Sequence, residues 1–149
     1  MKDELFMKEA LKLAKKALEV GEVPVGAVIV LGKEIIGKGF NEPIRTSDPT
    51  AHAEIKALKQ AAIFLDDYRL VGAKMYSTLE PCLMCAGASV HARISEIIFS
   101  AYDQKSGVLE SNGDLLKSDF INHKISFKGG VLADESSRLL KGFFSEKRN

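Results

Sequence analysis

Four side chains of this sequence have types and spacings that could do chemistry together. His52 and Glu54 stand in Thr50-Ala51-His52-Ala53-Glu54, and Cys82 and Cys85 in Pro81-Cys82-Leu83-Met84-Cys85. An apolar, strand-like run leads into the second stretch and a small-residue helical run leads out. Proline suits the first helical position, so the cysteines are expected in the first turn, at i and i+3 on one face. Thiols there lie at the positive end of the helix dipole, which favours the metal-binding thiolate.

Two sulfurs ask for a further ligand, and the chain holds three histidines. His91 lies six residues beyond Cys85 on the same helix, about 240° around and ~9 Å along, so it cannot join. His123, beside Asn122 in a turn, reaches only if the preceding long loop folds back. His52 opens another helix, and both helices begin at the carboxyl ends of their preceding segments, where sheet-and-helix domains put their sites. One histidine and two cysteines leave a tetrahedral ion one position for water, the mark of a catalytic rather than a structural zinc site. Glu54 is the carboxylate within reach of such a water. Residues i and i+2 of an ideal helix point about 200° apart, so His52 is assigned to a frayed first turn. Taken singly, each feature has a plainer use: a redox CxxC pair, a polar helix start, a first-turn charge. Jointly they are specific.

The elements that must position these residues are legible from periodicity. Residues from about Asp3 to Val20 form an amphipathic helix that Gly21 stops. Val25 to Leu31 is a strand apolar enough to be buried on both faces, and Gly32-Lys33 turns it back into Glu34 to Phe40. Asn41 to Thr50 is a loop. Its Asp48-Pro49 reads as N-cap and first residue of a helix running to about Leu65. Strand three is Lys74 to Leu79, helix three Cys82 to about Ala92, and strand four Glu96 to Ala101. That crossover makes strands three and four parallel. Tyr102 to Lys124 is a connection long enough to have a job or be disordered. Ile125 to Phe127 is a short fifth strand, and Asp134 to about Lys147 a closing helix. The expectation is one α/β domain over residues 1–149, a mixed five-stranded sheet covered by helices.

With 149 residues and a net charge of +1, the chain is one domain long and not polybasic. The N-terminus passes straight into a charged helix, and the longest apolar run, Val23 to Leu31, is too short to span a bilayer. A cytoplasmic protein without a membrane partner is expected, its cysteines serving metal or redox chemistry rather than a disulfide scaffold.

His-x-Glu with Pro-Cys-x-x-Cys is the signature of the zinc deaminases. Beyond it, the chain resembles the bacterial tRNA-specific adenosine deaminases in Glu22-Val23-Pro24-Val25-Gly26-Ala27, in Asp48 to Ile55, in Thr78 to Ala88 and in Asp103-Gln104-Lys105-Ser106-Gly107. Asn122-His123 and Phe143-Phe144 add to the likeness, which covers nearly the whole chain. The resemblance implies a three-layer α/β/α cytidine-deaminase-like fold, one zinc per chain on His52, Cys82 and Cys85, and a homodimer. It implies hydrolytic deamination of the wobble adenosine of an arginine tRNA anticodon loop to inosine. In that reaction zinc-activated hydroxide attacks C6 and Glu54 shuttles the protons.

It further implies substrate or RNA contacts from Asn41, Val25, Ala53, Asp103 and Lys105. Asn41 serves equally well as a turn asparagine, Lys105 as a solvated loop lysine, and Phe144 packs on the core or on RNA. A free-base deaminase such as a guanine deaminase shares the zinc chemistry and is the nearest alternative. A non-catalytic zinc-stabilised RNA-binding module and a redox protein using Cys82 and Cys85 are the alternatives from other classes.

Overall fold

The structure, a computed structural model, describes residues 2–148. Helix α1 (Lys2–Glu19) buries one face through Met7, Ala10, Leu11, Leu13, Ala14 and Ala17. Strand β1 (Gly26–Leu31) is buried on both sides, with Ala27 and Ile29 in one core cluster and Val28 and Val30 in the other. β1 pairs antiparallel with β2 (Glu34–Phe40) on one side and with β3 (Lys74–Leu79) on the other. β3, β4 (Glu96–Ala101) and β5 (Ser126–Lys128) then run parallel, in the order β2-β1-β3-β4-β5.

A four-residue helix α2 (Pro43–Thr46) follows β2. Helices α3 (Ala53–Leu65) and α4 (Leu83–His91) cover one face of the sheet, and α1 and α5 (Ala133–Arg148) cover the other. The architecture is the three-layer α/β/α arrangement around a mixed five-stranded sheet.

Three local readings are corrected by the structure. Asp48-Pro49 does not open a helix, because the Asp48 carboxylate is taken by the Thr50 N–H at 2.8 Å and the Thr50 hydroxyl at 2.7 Å, a closed local turn. The helix starts later, with His52 as its N-cap. The loop after β2 contains α2, whose first amides the buried Glu22 carboxylate receives at 3.3 Å (Ile44) and 2.7 Å (Arg45). Pro81 precedes the N-cap of α4 rather than beginning it, since Cys82 holds that position in extended conformation (ψ 177°).

The connection from Tyr102 to Lys124 is built into the fold. Leu109 and Leu116 are buried in the main core, and His123 Nε2 lies 2.8 Å from the Ile94 carbonyl. Close packing also sets the start of α3. A Cβ on Gly39 would lie 2.4 Å from the Ala53 carbonyl oxygen, so only glycine lets the first turn of α3 lie this close to β2.

Candidate active site

Where β2 and β3 end and β1 begins, the starts of α3 and α4 come together. Gly26 pairs with Phe40 and Ala27 with Ser77, which aligns the beginning of β1 with the ends of β2 and β3. His52 leads α3 with φ −74° and ψ 153°, and Cys82 leads α4 in similarly extended backbone. Being an N-cap rather than a helical residue frees His52 from the 100°-per-residue rotation that seemed to separate it from Glu54. Glu54 sits on the second helical residue, buried. No cap bond comes from the His52 ring; Asn41 Oδ1 receives the first helical amide, that of Ala53, at 2.8 Å.

His52 Nδ1 lies 3.6 Å from Cys82 Sγ and 3.5 Å from Cys85 Sγ, and all three donor atoms fall within 4.8 Å of one another. A tetrahedral zinc, with Zn–S near 2.3 Å and Zn–N near 2.05 Å, requires an N···S separation of about 3.6 Å. The donor set fits zinc in both distance and softness. Cys85 is buried and Cys82 half-buried.

The three donors share protons among themselves. Hydrogen bonds from the Cys85 thiol and then from the His52 ring outweigh burial and pull Cys82 down to about 4. Cys85, its proton held by the Cys82 sulfur and its surroundings dry, is pushed far up. The bond to Cys82, with the Glu54 charge, outweighs burial and raises His52. A metal ion displaces these shared protons and leaves sulfur and imidazole as ligands. Burial, reinforced by the charge on Cys82, pushes the Glu54 carboxyl up to about 7, where a carboxyl both takes and gives protons near neutrality.

The other residues singled out from sequence lie around this centre in different ways. Asn41 is nearly buried, and its backbone N–H donates to the Val25 carbonyl at 3.0 Å. Val25 and Ala53 are buried, Ala53 with no exposed surface, and the Ala53 amide is engaged by Asn41. Asp103 Oδ1 receives the amides of Lys105 and Ser106 at 3.1 Å each and shapes its own loop. Lys105 is exposed. That loop lines a cavity of about 490 Å³ with Val23, Leu79, Leu140 and Phe144. His91 is exposed on the far end of α4, away from the cluster.

Sequence reasoning missed Glu80, whose buried carboxylate meets five donors. The only signal was a charged residue between an apolar strand and the Pro-Cys pair, where water is unavailable to solvate it.

Comparison with known proteins follows the same lines. The profile of the cytidine and deoxycytidylate deaminase zinc-binding region matches residues 1–101. A tRNA-specific adenosine deaminase of Haemophilus influenzae is 48% identical over 147 residues, 98% of this chain and 85% of its own length. A solved structure from work on A-to-I editing by tRNA:A34 deaminases at the wobble position superposes with a TM-score of 0.88 at 40% identity, covering 91% of this chain and 98% of its own. A guanine deaminase from Nitrosomonas europaea shares the fold, with a TM-score of 0.79 at 22% identity over 95% of this chain and 84% of its own.

Proposed function

The chain belongs to the cytidine and deoxycytidylate deaminase family, and from that membership we propose that it deaminates the wobble adenosine of an arginine tRNA anticodon loop to inosine. The observation that carries this reading is the full-length likeness to tRNA-specific adenosine deaminases, joined to a His-Cys-Cys cluster of zinc dimensions beside a carboxyl raised to about 7.

His52, Cys82 and Cys85 would hold the zinc, one ion per chain. Bound zinc supplies Lewis-acid activation of water, the nucleophile of a hydrolytic deamination. Glu54 takes the proton that water gives up and delivers it to N1 of adenine. It then takes the hydroxyl proton of the C6 adduct and passes it to the amino group, which leaves as ammonia while C6 becomes a carbonyl. Burial raises Glu54 from the ordinary carboxylate range, the direction needed by a group that must hold a proton before passing it on. The Asn41 side chain, with Oδ1 anchored on Ala53, presents its amide nitrogen to the extruded nucleoside. Pro24 and Val25 supply apolar wall. Extruding a base is cheapest from a single-stranded loop, and Asp103 and Lys105 stand on the loop that meets the flanking nucleotides.

A homodimer is part of the proposal. Ile63, Phe64 and Tyr68 are exposed at the end of α3 and just beyond it. Beside them an apolar groove of about 350 Å³ runs between α3 and α4. Together they form a face suited to a second copy. Light scattering is expected to give twice the chain mass, and Ile63→Glu to give one chain mass.

Mass spectrometry for inosine in an arginine anticodon stem-loop, with free guanine run in parallel, tests the substrate. Inosine formation without guanine turnover is expected. Guanine turnover without inosine would overturn the assignment.

A further inference from the structure

One buried carboxylate joins the metal-holding helix start to the loop after β4. Glu80 is 1% exposed and stands between the end of β3 and Pro81-Cys82. Its Oε2 receives the amides of Leu109, Glu110 and Ser111 at 3.1, 2.8 and 3.0 Å. Its Oε1 receives the Asp103 amide at 3.1 Å and the Ser111 hydroxyl. The loop is built to admit it: a Cβ on Gly107 would lie 2.3 Å from the Glu80 carboxyl carbon. The Glu80 amide itself donates to the Ala101 carbonyl at 2.9 Å, and the Val108 amide to the Pro81 carbonyl at 3.2 Å, so main chain and side chain hold the two segments together.

Buried carboxylates are costly unless their lone pairs are filled, and a hydrogen bond to a charged acceptor is worth about twice a neutral one. Here every partner comes from residues 103–111. Oε2 holds the far end of the loop through three amides, while Oε1 alone holds the near end, at Asp103, and also takes the Ser111 hydroxyl. From Asp103 the chain passes into Gln104, Lys105 and Ser106, which line the 490 Å³ cavity with Leu79.

We propose that Glu80 is a positioning residue, setting the stance of Asp103–Ser106 toward the RNA relative to the start of α4. This rests on the RNA-deaminase reading above. Glu80→Gln separates the two ends. A glutamine keeps its carbonyl toward the three amides of residues 109–111 and turns its NH₂ toward Oε1's partners. The Ser111 hydroxyl can reverse and accept, but the Asp103 amide is left facing a donor.

The test compares wild type, Glu80→Gln and Ser111→Ala by zinc content, by amide hydrogen exchange without RNA, and by steady-state kinetics on an arginine anticodon stem-loop. In Glu80→Gln, exchange over 103–106 should accelerate well beyond that over 109–111, with one zinc per chain retained. KM for the RNA should rise about tenfold with kcat within about threefold. Ser111→Ala, which removes one donor and no charge, should shift exchange and KM the same way by less, and it carries the test if Glu80→Gln fails to fold. Unchanged exchange over 103–106, loss of zinc, or a fall in kcat at constant KM would each overturn the inference. A wild type that makes no inosine would overturn the substrate reading instead, and exchange alone would then decide whether Glu80 holds the loop.

Discussion

Adding one methyl group at Gly39 should disturb the site from a distance. The Cβ of Gly39→Ala would lie 2.4 Å from the Ala53 carbonyl oxygen, 2.6 Å from Lys56 Cβ and 2.7 Å from the Ala57 nitrogen. The closest of these partners is backbone of α3's first turn, so relief cannot come from a side-chain rotation alone. Restoring an ordinary contact of 3.4 Å to the Ala53 oxygen means lifting the start of α3 by about 1 Å. Overpacking of this kind costs about 1–3 kcal/mol. For a chain of this length that is a fall in Tm of roughly 3–10 °C.

The same lift stretches the 2.8 Å Asn41–Ala53 bond and carries His52 and Glu54 away from the two sulfurs. A misplacement near 1 Å can cost about 100-fold in rate. Gly142→Ala is the control, because a Cβ there meets nothing within 4 Å. It should be neutral or stabilise by about 0.5–1 kcal/mol through helix propensity. Thermal melts, zinc titration and inosine formation on the two variants read all of this. Gly39→Ala with wild-type zinc affinity and turnover would show that the close approach of α3 to β2 does not set the ligand geometry.

Glu54→Gln should retain fold and zinc while deamination falls by about 10²–10⁴, which rapid-quench assays at saturating RNA can read. Stripping zinc with a chelator should abolish activity and lower Tm, since an ion at about 1,000 times its Kd contributes about 4 kcal/mol; both should return on adding zinc back. Asp3 supplies a pH test on the opposite face of the sheet from α3 and α4. Burial raises its carboxyl, but hydrogen bonds from Lys128 and Tyr76 with the Lys128 and Lys74 charges outweigh that and hold it below its ordinary 3.8. A depressed folded-state pKa stabilises above the unfolded value and is lost as pH falls through the folded one. Asp3→Asn should therefore melt earlier than wild type near neutral pH, and the gap should close as pH falls below about 4.

How far the sequence could be read depended on the range of the interactions involved. Strands β2, β3 and β4 were legible to the residue, because short apolar runs and their bounding turns are local. The start of α3 was not. Two capping signals compete there, and Asp48 is consumed by Thr50 while the capping acceptor arrives from Asn41, twelve residues upstream. The cluster of His52, Cys82 and Cys85 was legible because metal chemistry restricts residue types, and a non-helical start at His52 was expected as a frayed first turn. Its actual form, an extended N-cap with Asn41 taking the Ala53 amide, was not. Glu80 was illegible for a simpler reason: its five donors lie 23 to 31 residues away, and no local pattern announces them.

Isotope transfer from solvent examines the chemistry itself. Run in H₂¹⁸O, a single turnover on the arginine anticodon stem-loop should add about 3 Da to the target nucleoside rather than the ~1 Da of ordinary water, with one ammonia released per RNA. The zinc-stripped protein should leave the RNA unchanged. Inosine without the label, or an RNA whose mass does not move in the zinc-loaded protein, would mean that water is not delivered to the adenine ring by this site.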